Sequence, residues 1–141
     1  MTFARTSLAA PVVACTTGMN TPSTSTVTST VAMAANPKAA RRFVQEVRSR
    51  VGRCADERFG TDVTRLVDQA TEKVDLTVWQ LELDLSDDRS LSFLMAIMRH
   101  GDTVSQVGFT PARGLTMSRD DFSWLARRAL ERLPRLQLES P

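Results

Sequence analysis

The nine residues from Leu91 to Arg99, LSFLMAIMR, are apolar on both alternating sides. In an extended chain Leu91, Phe93, Met95 and Ile97 share one face, and Leu94, Ala96 and Met98 share the other. Such a strand has no solvent side, so it must be central in its sheet and covered above and below. Polar punctuation bounds it. Ser86-Asp87-Asp88-Arg89 makes a turn before it, and His100-Gly101-Asp102 makes a tight hairpin turn after it, with glycine supplying the positive φ. Upstream, residues 76–85 (LTVWQLELDL) alternate Trp79, Leu81, Leu83 and Leu85 with Gln80, Glu82 and Asp84, the pattern of a strand with one buried face. Downstream, residues 103–111 return as a third strand that Pro111 and Gly114 end. The centre of the domain is an antiparallel meander.

A helix is predicted on either side of the meander in sequence. Asn36-Pro37 reads as an N-cap followed by proline in the first turn. Ala40, Phe43, Val44, Val47, Val51 and Cys54 then recur at helical steps to about residue 55. Lys38, Arg41, Arg42, Arg48, Arg50 and Arg53 occupy the other face, which reads as a solvated surface before it reads as a phosphate site. Near the C-terminus, Ser118 and Asp121 have the spacing of a capping box. Phe122, Leu125, Ala126, Ala129, Leu130 and Leu133 follow as a buried stripe, and Pro134 is expected to stop the helix. Val63, Leu66, Val67 and Ala70 fit a helix and a short strand equally well. The expectation is an α+β fold: a meander of three to four strands flanked by an N-terminal and a C-terminal helix, the helices on one face of the sheet. The second apolar face of the central strand then needs a cover, and a homodimer is a candidate for it.

The charge distribution divides the chain. Residues 1–37 carry one charge, Arg5, whereas all 16 acidic side chains lie beyond it and the net charge is only +2. A near-neutral domain gives little field for nucleic acid. Eight of the ten residues 21–30 are serine or threonine, too little apolar surface to offset chain entropy, so residues 16–35 read as a flexible tether and 36–136 as the folded domain. Ahead of the tether, Arg5, the apolar run 8–14 and then Cys15 resemble a secretory signal, and Val12-Val13-Ala14-Cys15 resembles a lipobox whose cysteine becomes diacylated. The competing reading is an unstructured leader, 1–15, with an incidental cysteine. The sequence holds no uninterrupted apolar run of the roughly 18 residues needed to cross a bilayer.

No catalytic signature is found: no G-x-S-x-G, no P-loop, no HExxH, no CxxC. His100, the one histidine, reads as a solvent-exposed turn residue. Asp84, Ser86 and Asp88 alternate like the start of a calcium loop but lack its glycine and distal glutamate. No cofactor or metal is expected. Trp79 reads as core, whereas Trp124 lies beside the apolar stripe of the last helix and is the candidate to line a cleft. Cys54 faces the core; with Cys15 acylated it has no second cysteine in this sequence, and it is then a buried thiol, one half of a bridge between molecules, or the partner of a cysteine in a segment missing from this sequence. In a reducing compartment two thiols need no explanation.

The segments DLTVWQLELDLSDD, FLMAIMRHGDTVSQVGF and F-x-x-L-A-x-R-A-L-E-R-L resemble the C-terminal half of actinobacterial sensor-domain lipoproteins of the PknH-like extracellular domain group. Cys54, Trp79, Arg99, Gly101, Val104 and Val107 stand at the matching places over about residues 36–134. The resemblance implies a strand at 63–70. It also implies a non-catalytic sensing or ligand-binding module on the outer face of the cytoplasmic membrane, tethered by lipid on Cys15, with a cleft for an unidentified ligand. Family domains are longer, with an additional N-terminal half where this chain has its Ser/Thr-rich stretch. The alternative function is a cytoplasmic interaction or dimerisation module.

Overall fold

A computed structural model describes residues 26–57, 60–85, 88–111 and 116–138. The elements are β1 (Thr26–Met33), α1 (Pro37–Glu57), β2 (Thr61–Ala70), β3 (Val74–Leu85), β4 (Arg89–His100), β5 (Thr103–Thr110) and α2 (Arg119–Leu138). All strands pair antiparallel in the order β1-β5-β4-β3-β2. The fold is α+β, and residues 61–70 form a strand.

β4 is the central strand, as its two apolar faces demand. Met95 and Ile97 pack with Trp79, Leu81 and Val104 beneath Ala40, Val44, Val47 and Val51 of α1. Leu94, Ala96 and Met98 pack with Leu76, Val78, Val107 and Phe109 beneath Phe122, Ala126 and Leu133 of α2. The helices therefore lie on opposite faces, not on one, and the second face of β4 is covered by the same chain. Two cores on one sheet follow from the parity of β4 itself, since adjacent side chains leave on opposite sides.

Two further expectations are corrected. The Ser/Thr-rich stretch read as tether contains β1, paired with β5 from Thr26↔Thr110 to Met33↔Thr103, so the sheet has five strands. β-branched threonine and valine suit a half-exposed edge strand, although the polar serine and threonine hide it in the sequence. Pro134 does not stop α2, which runs on to Leu138. Leu133 is 1% exposed immediately before it, so burial carries the helix through a position that lacks an N–H. The caps are formed as expected: Asn36 Oδ1 accepts the Ala39 N–H at 2.8 Å and Ser118 Oγ accepts the Asp121 N–H at 3.0 Å.

One end of the sheet is tied by a buried charge. Arg99 on β4 is fully buried, directly across from Asp75 on β3. Its Nε donates to Asp75 Oδ2 at 2.6 Å, its Nη1 to the Gly101 carbonyl at 2.9 Å and its Nη2 to the Glu72 carbonyl at 3.0 Å. The β2–β3 and β4–β5 turns are thus joined through one guanidinium, and Gly101 N–H closes the link by donating to the Lys73 carbonyl at 2.9 Å. Gly101 holds φ 60, which places its carbonyl within reach of the arginine two residues back. Arg41 of α1 donates to the same Glu72 carbonyl at 2.7 Å and brings the helix into the network.

Asp75→Ala would leave that guanidinium buried without its carboxylate. Urea unfolding should show a loss of about 3–5 kcal/mol, with the double variant Asp75→Leu/Arg99→Met recovering part of it. An Asp75→Ala protein as stable as the parent would show that the pair carries no such weight.

Candidate binding surface on the second helix

α2 packs over β3, β4 and β5 and reaches β2 at its margin, and Val31 of β1 packs at the border of the same core. Its inner stripe, Phe122, Ala126 and Leu133, is buried. Its outer face carries Trp124, 60% exposed in a protein whose other tryptophan, Trp79, is 3% exposed. Tryptophan is among the residues most enriched where partners dock. Arg128, one turn on, places its guanidinium carbon 5.3 Å from the Trp124 ring centroid, within cation–π range. Arg128 Nη1 also reaches Glu131 Oε2 at 3.1 Å.

Trp124 stands on a ridge between two depressions. The larger, about 610 Å³, runs between α2 and β1, with Ser29, Val31 and Ser105 as its floor and Arg128, Arg132 and Arg135 along its wall. The smaller, about 440 Å³, lies toward β2 and includes Leu66, Val67, Arg119, Asp120 and Arg127. Both are open and rich in guanidinium groups. They suit a ligand or partner with negative charge and a flat apolar part, and they place no imidazole against a hydroxyl or thiol.

Trp124 lines both depressions. Cys54 is 1% exposed on the inner face of α1 and is disulfide-bonded, so it is not a thiol. Its Sγ lies 3.5 Å from the Arg50 carbonyl, a distance at which a thiol would donate a hydrogen bond and a disulfide sulfur is only a van der Waals neighbour. Cys15, the chain's other cysteine, lies outside the described residues, as does the rest of the leader. His100 is half-buried at the end of β4, not solvent-exposed, and lines neither depression. Asp84 and Asp88 flank a β3–β4 turn in which Asp88 holds φ 58, and Ser86 is outside the described residues. Among the described residues no three His, Cys, Asp or Glu side chains gather as metal ligands, and no helix is long and apolar enough to cross a membrane.

Sequence reasoning missed the floor of the larger groove. Ser29 and Val31 belong to β1, in the stretch read as tether, and nothing in the sequence marks Arg132 and Arg135 as lining a groove with that strand. The available signal was the threonine and valine content of TVTSTVAM, a strand-forming composition. No family model matches the chain, and no curated protein or solved structure matches it.

The two tryptophans give this description a direct check. Acrylamide should quench the emission of a Trp79→Phe protein, which reports Trp124, far more strongly than that of a Trp124→Phe protein. Trp124→Ala should change stability by no more than about 0.5 kcal/mol, whereas Trp79→Ala should cost about 3–5 kcal/mol. Equal quenching of the two would remove Trp124 from the surface.

Proposed function

We propose that this protein is a non-catalytic, extracytoplasmic binding or sensing module that engages its ligand or partner through the outer face of α2. The observation that carries the reading is Trp124, exposed on the ridge between two arginine-lined depressions while the rest of the apolar periodicity of α2 is spent on the core. Arginine and tryptophan together are the side chains that most often dominate binding energy at interfaces. The groups in the two depressions are suited to holding charge and an aromatic or apolar face. Neither depression is lined by histidine or cysteine, the side chains that most often serve as base or activated nucleophile, which favours binding over turnover.

The disulfide at Cys54 supports export, because disulfides persist in oxidising compartments. It also bears on the lipid anchor. A diacylated Cys15 is a thioether and cannot be the partner of Cys54, and the chain has no third cysteine. Export with Cys15 free of lipid is therefore the simpler form of the proposal. An acylated Cys15 requires Cys54 to bond to a cysteine other than the two in this sequence. The resemblance to sensor-domain lipoproteins agrees with the compartment and with the absence of a catalytic role in either form.

Two measurements on the full chain in its own cells test this. The intact mass of the purified protein distinguishes a diacylglyceryl adduct from the loss of two hydrogens that marks an internal bridge, and a fully reduced, unprocessed chain in the cytoplasm would overturn export. A photo-crosslinking residue at position 124 should capture a specific adduct that the same residue at exposed position 42 on α1 does not. Identical adducts at both positions would overturn α2 as the binding face.

A further inference from the structure

The two edges of the sheet are treated differently by the sequence. β2, at one edge, carries Asp62, Arg65 and Asp68, and its pairing with β3 shifts register between Arg65 and Val67. Charges and bulges are the devices by which edge strands avoid pairing with other chains. α1 guards it further, since Arg48 reaches Asp68 at 2.7 Å. β1, at the other edge, has none of these devices. TVTSTVAM contains no charge and no proline, and it pairs with β5 in eight uninterrupted steps. Among the described residues nothing pairs with its outer edge.

The exposed large apolar side chains gather beside this same edge. Val27 is 55% exposed and Met33 is 52% exposed. By register both lie on the α2 side of β1, opposite Phe109 and Thr103, with Ser29 and Val31 between them. Trp124 faces the same groove from α2. The apolar points mark out a track about 20 Å long, six residue steps of extended chain.

We propose that the groove between β1 and α2 takes an extended acidic segment of another protein, which adds as a strand to the outer edge of β1. The inference rests on α2 being the binding face and names what binds there. The open edge supplies main-chain hydrogen bonds, as in other strand additions. The wall supplies selectivity. Arg128 already shares Glu131, whereas no carboxylate of the described residues bonds Arg132 or Arg135. Steps of four and three residues put successive arginines about 6 and about 4.5 Å apart along the helix. Alternate side chains of an added strand are about 7 Å apart, so carboxylates at alternate positions can each meet a guanidinium. A second copy of this chain fits less well. Antiparallel β1–β1 pairing about a two-fold axis keeps both α2 helices on one side of the joined sheet. It would turn the two sets of arginines toward each other with only the already bonded Glu131 carboxylates between them.

The test uses the full-length oxidised protein in its Trp79→Phe form, so that emission reports Trp124. The probe is a capped ten-residue peptide with glutamate at alternate positions and valine or threonine between. A saturable shift of Trp124 emission is expected, together with new amide-exchange protection in β1. Arg132→Glu/Arg135→Glu, both on the exposed helix face, should weaken binding about tenfold or more. The lysine analogue of the peptide should not bind. The same acidic peptide with alternate backbone nitrogens methylated should lose binding, which a purely electrostatic contact would not. Four results would each overturn the proposal. The methylated peptide could bind equally well. The outer β1 amides could already be protected in the free monomer, showing that the chain covers its own edge. Sedimentation could show a dimer that the β1 substitution Ser29→Pro dissolves. Inorganic phosphate or vesicles of anionic phospholipid could shift the emission when the peptide does not, in which case the binding face stands and the strand addition fails. If no probe moves Trp124 while crosslinking at position 124 still captures an adduct, the acidic-segment inference alone falls.

Discussion

Arg99 is a guanidinium with no exposure to water, and the rest of the fold is arranged so that this is tolerable. Desolvating a charge of that size costs several kcal/mol unless its donors are met. Asp75 sits across the ladder, and the carbonyls of Gly101 and Glu72 come from two different turns. Each acceptor is in place only if its hairpin has the right length and register. A slip of one residue would carry Asp75 to the other face and leave the charge alone. The network thus sets the register of β3 against β4 and fixes which end of the sheet the two turns share. It also seats α1, through Arg41 on the same Glu72 carbonyl.

Much of this architecture was legible from LSFLMAIMR. Its two apolar faces require two covers, and the amphipathic stripes of α1 and α2 provide them. The side on which each helix packs was not legible, because periodicity gives a helix its inner face but not which face of the sheet that face meets. The buried pair was not legible either. Arginine and aspartate in strands read as solvent-facing, and only the register places Asp75 and Arg99 opposite each other within the core. β1 escaped for a compositional reason. Serine and threonine are the residues of tethers and also of half-exposed strands, and nothing local to 26–33 separates the two. Pairing with β5, some seventy-five residues away, decides it.

The candidate site divides along the same line. Trp124 could be picked out because it breaks the polar side of an otherwise regular helix. Its surroundings could not, because Ser29, Val31 and Ser105 come from two strands far apart in sequence and reach α2 only through the sheet order. Cys54 was placed on the core side of α1 by spacing alone, and its burial agrees. Its bonded state is a property of the folded chain that spacing does not carry.

The sheet order has a bearing on assembly of the molecule itself. β2 to β5 are joined in sequence by short turns, so their contacts are local and cheap in loop entropy. β1 must find β5 across α1 and three intervening strands, the longest closure in the sheet. Entropy therefore places β1 last in the order of docking and first in the order of release. The floor of the larger groove belongs to that strand, so the groove exists only when the chain has finished folding. A partner that reads it distinguishes a completed molecule from one whose first strand has yet to arrive.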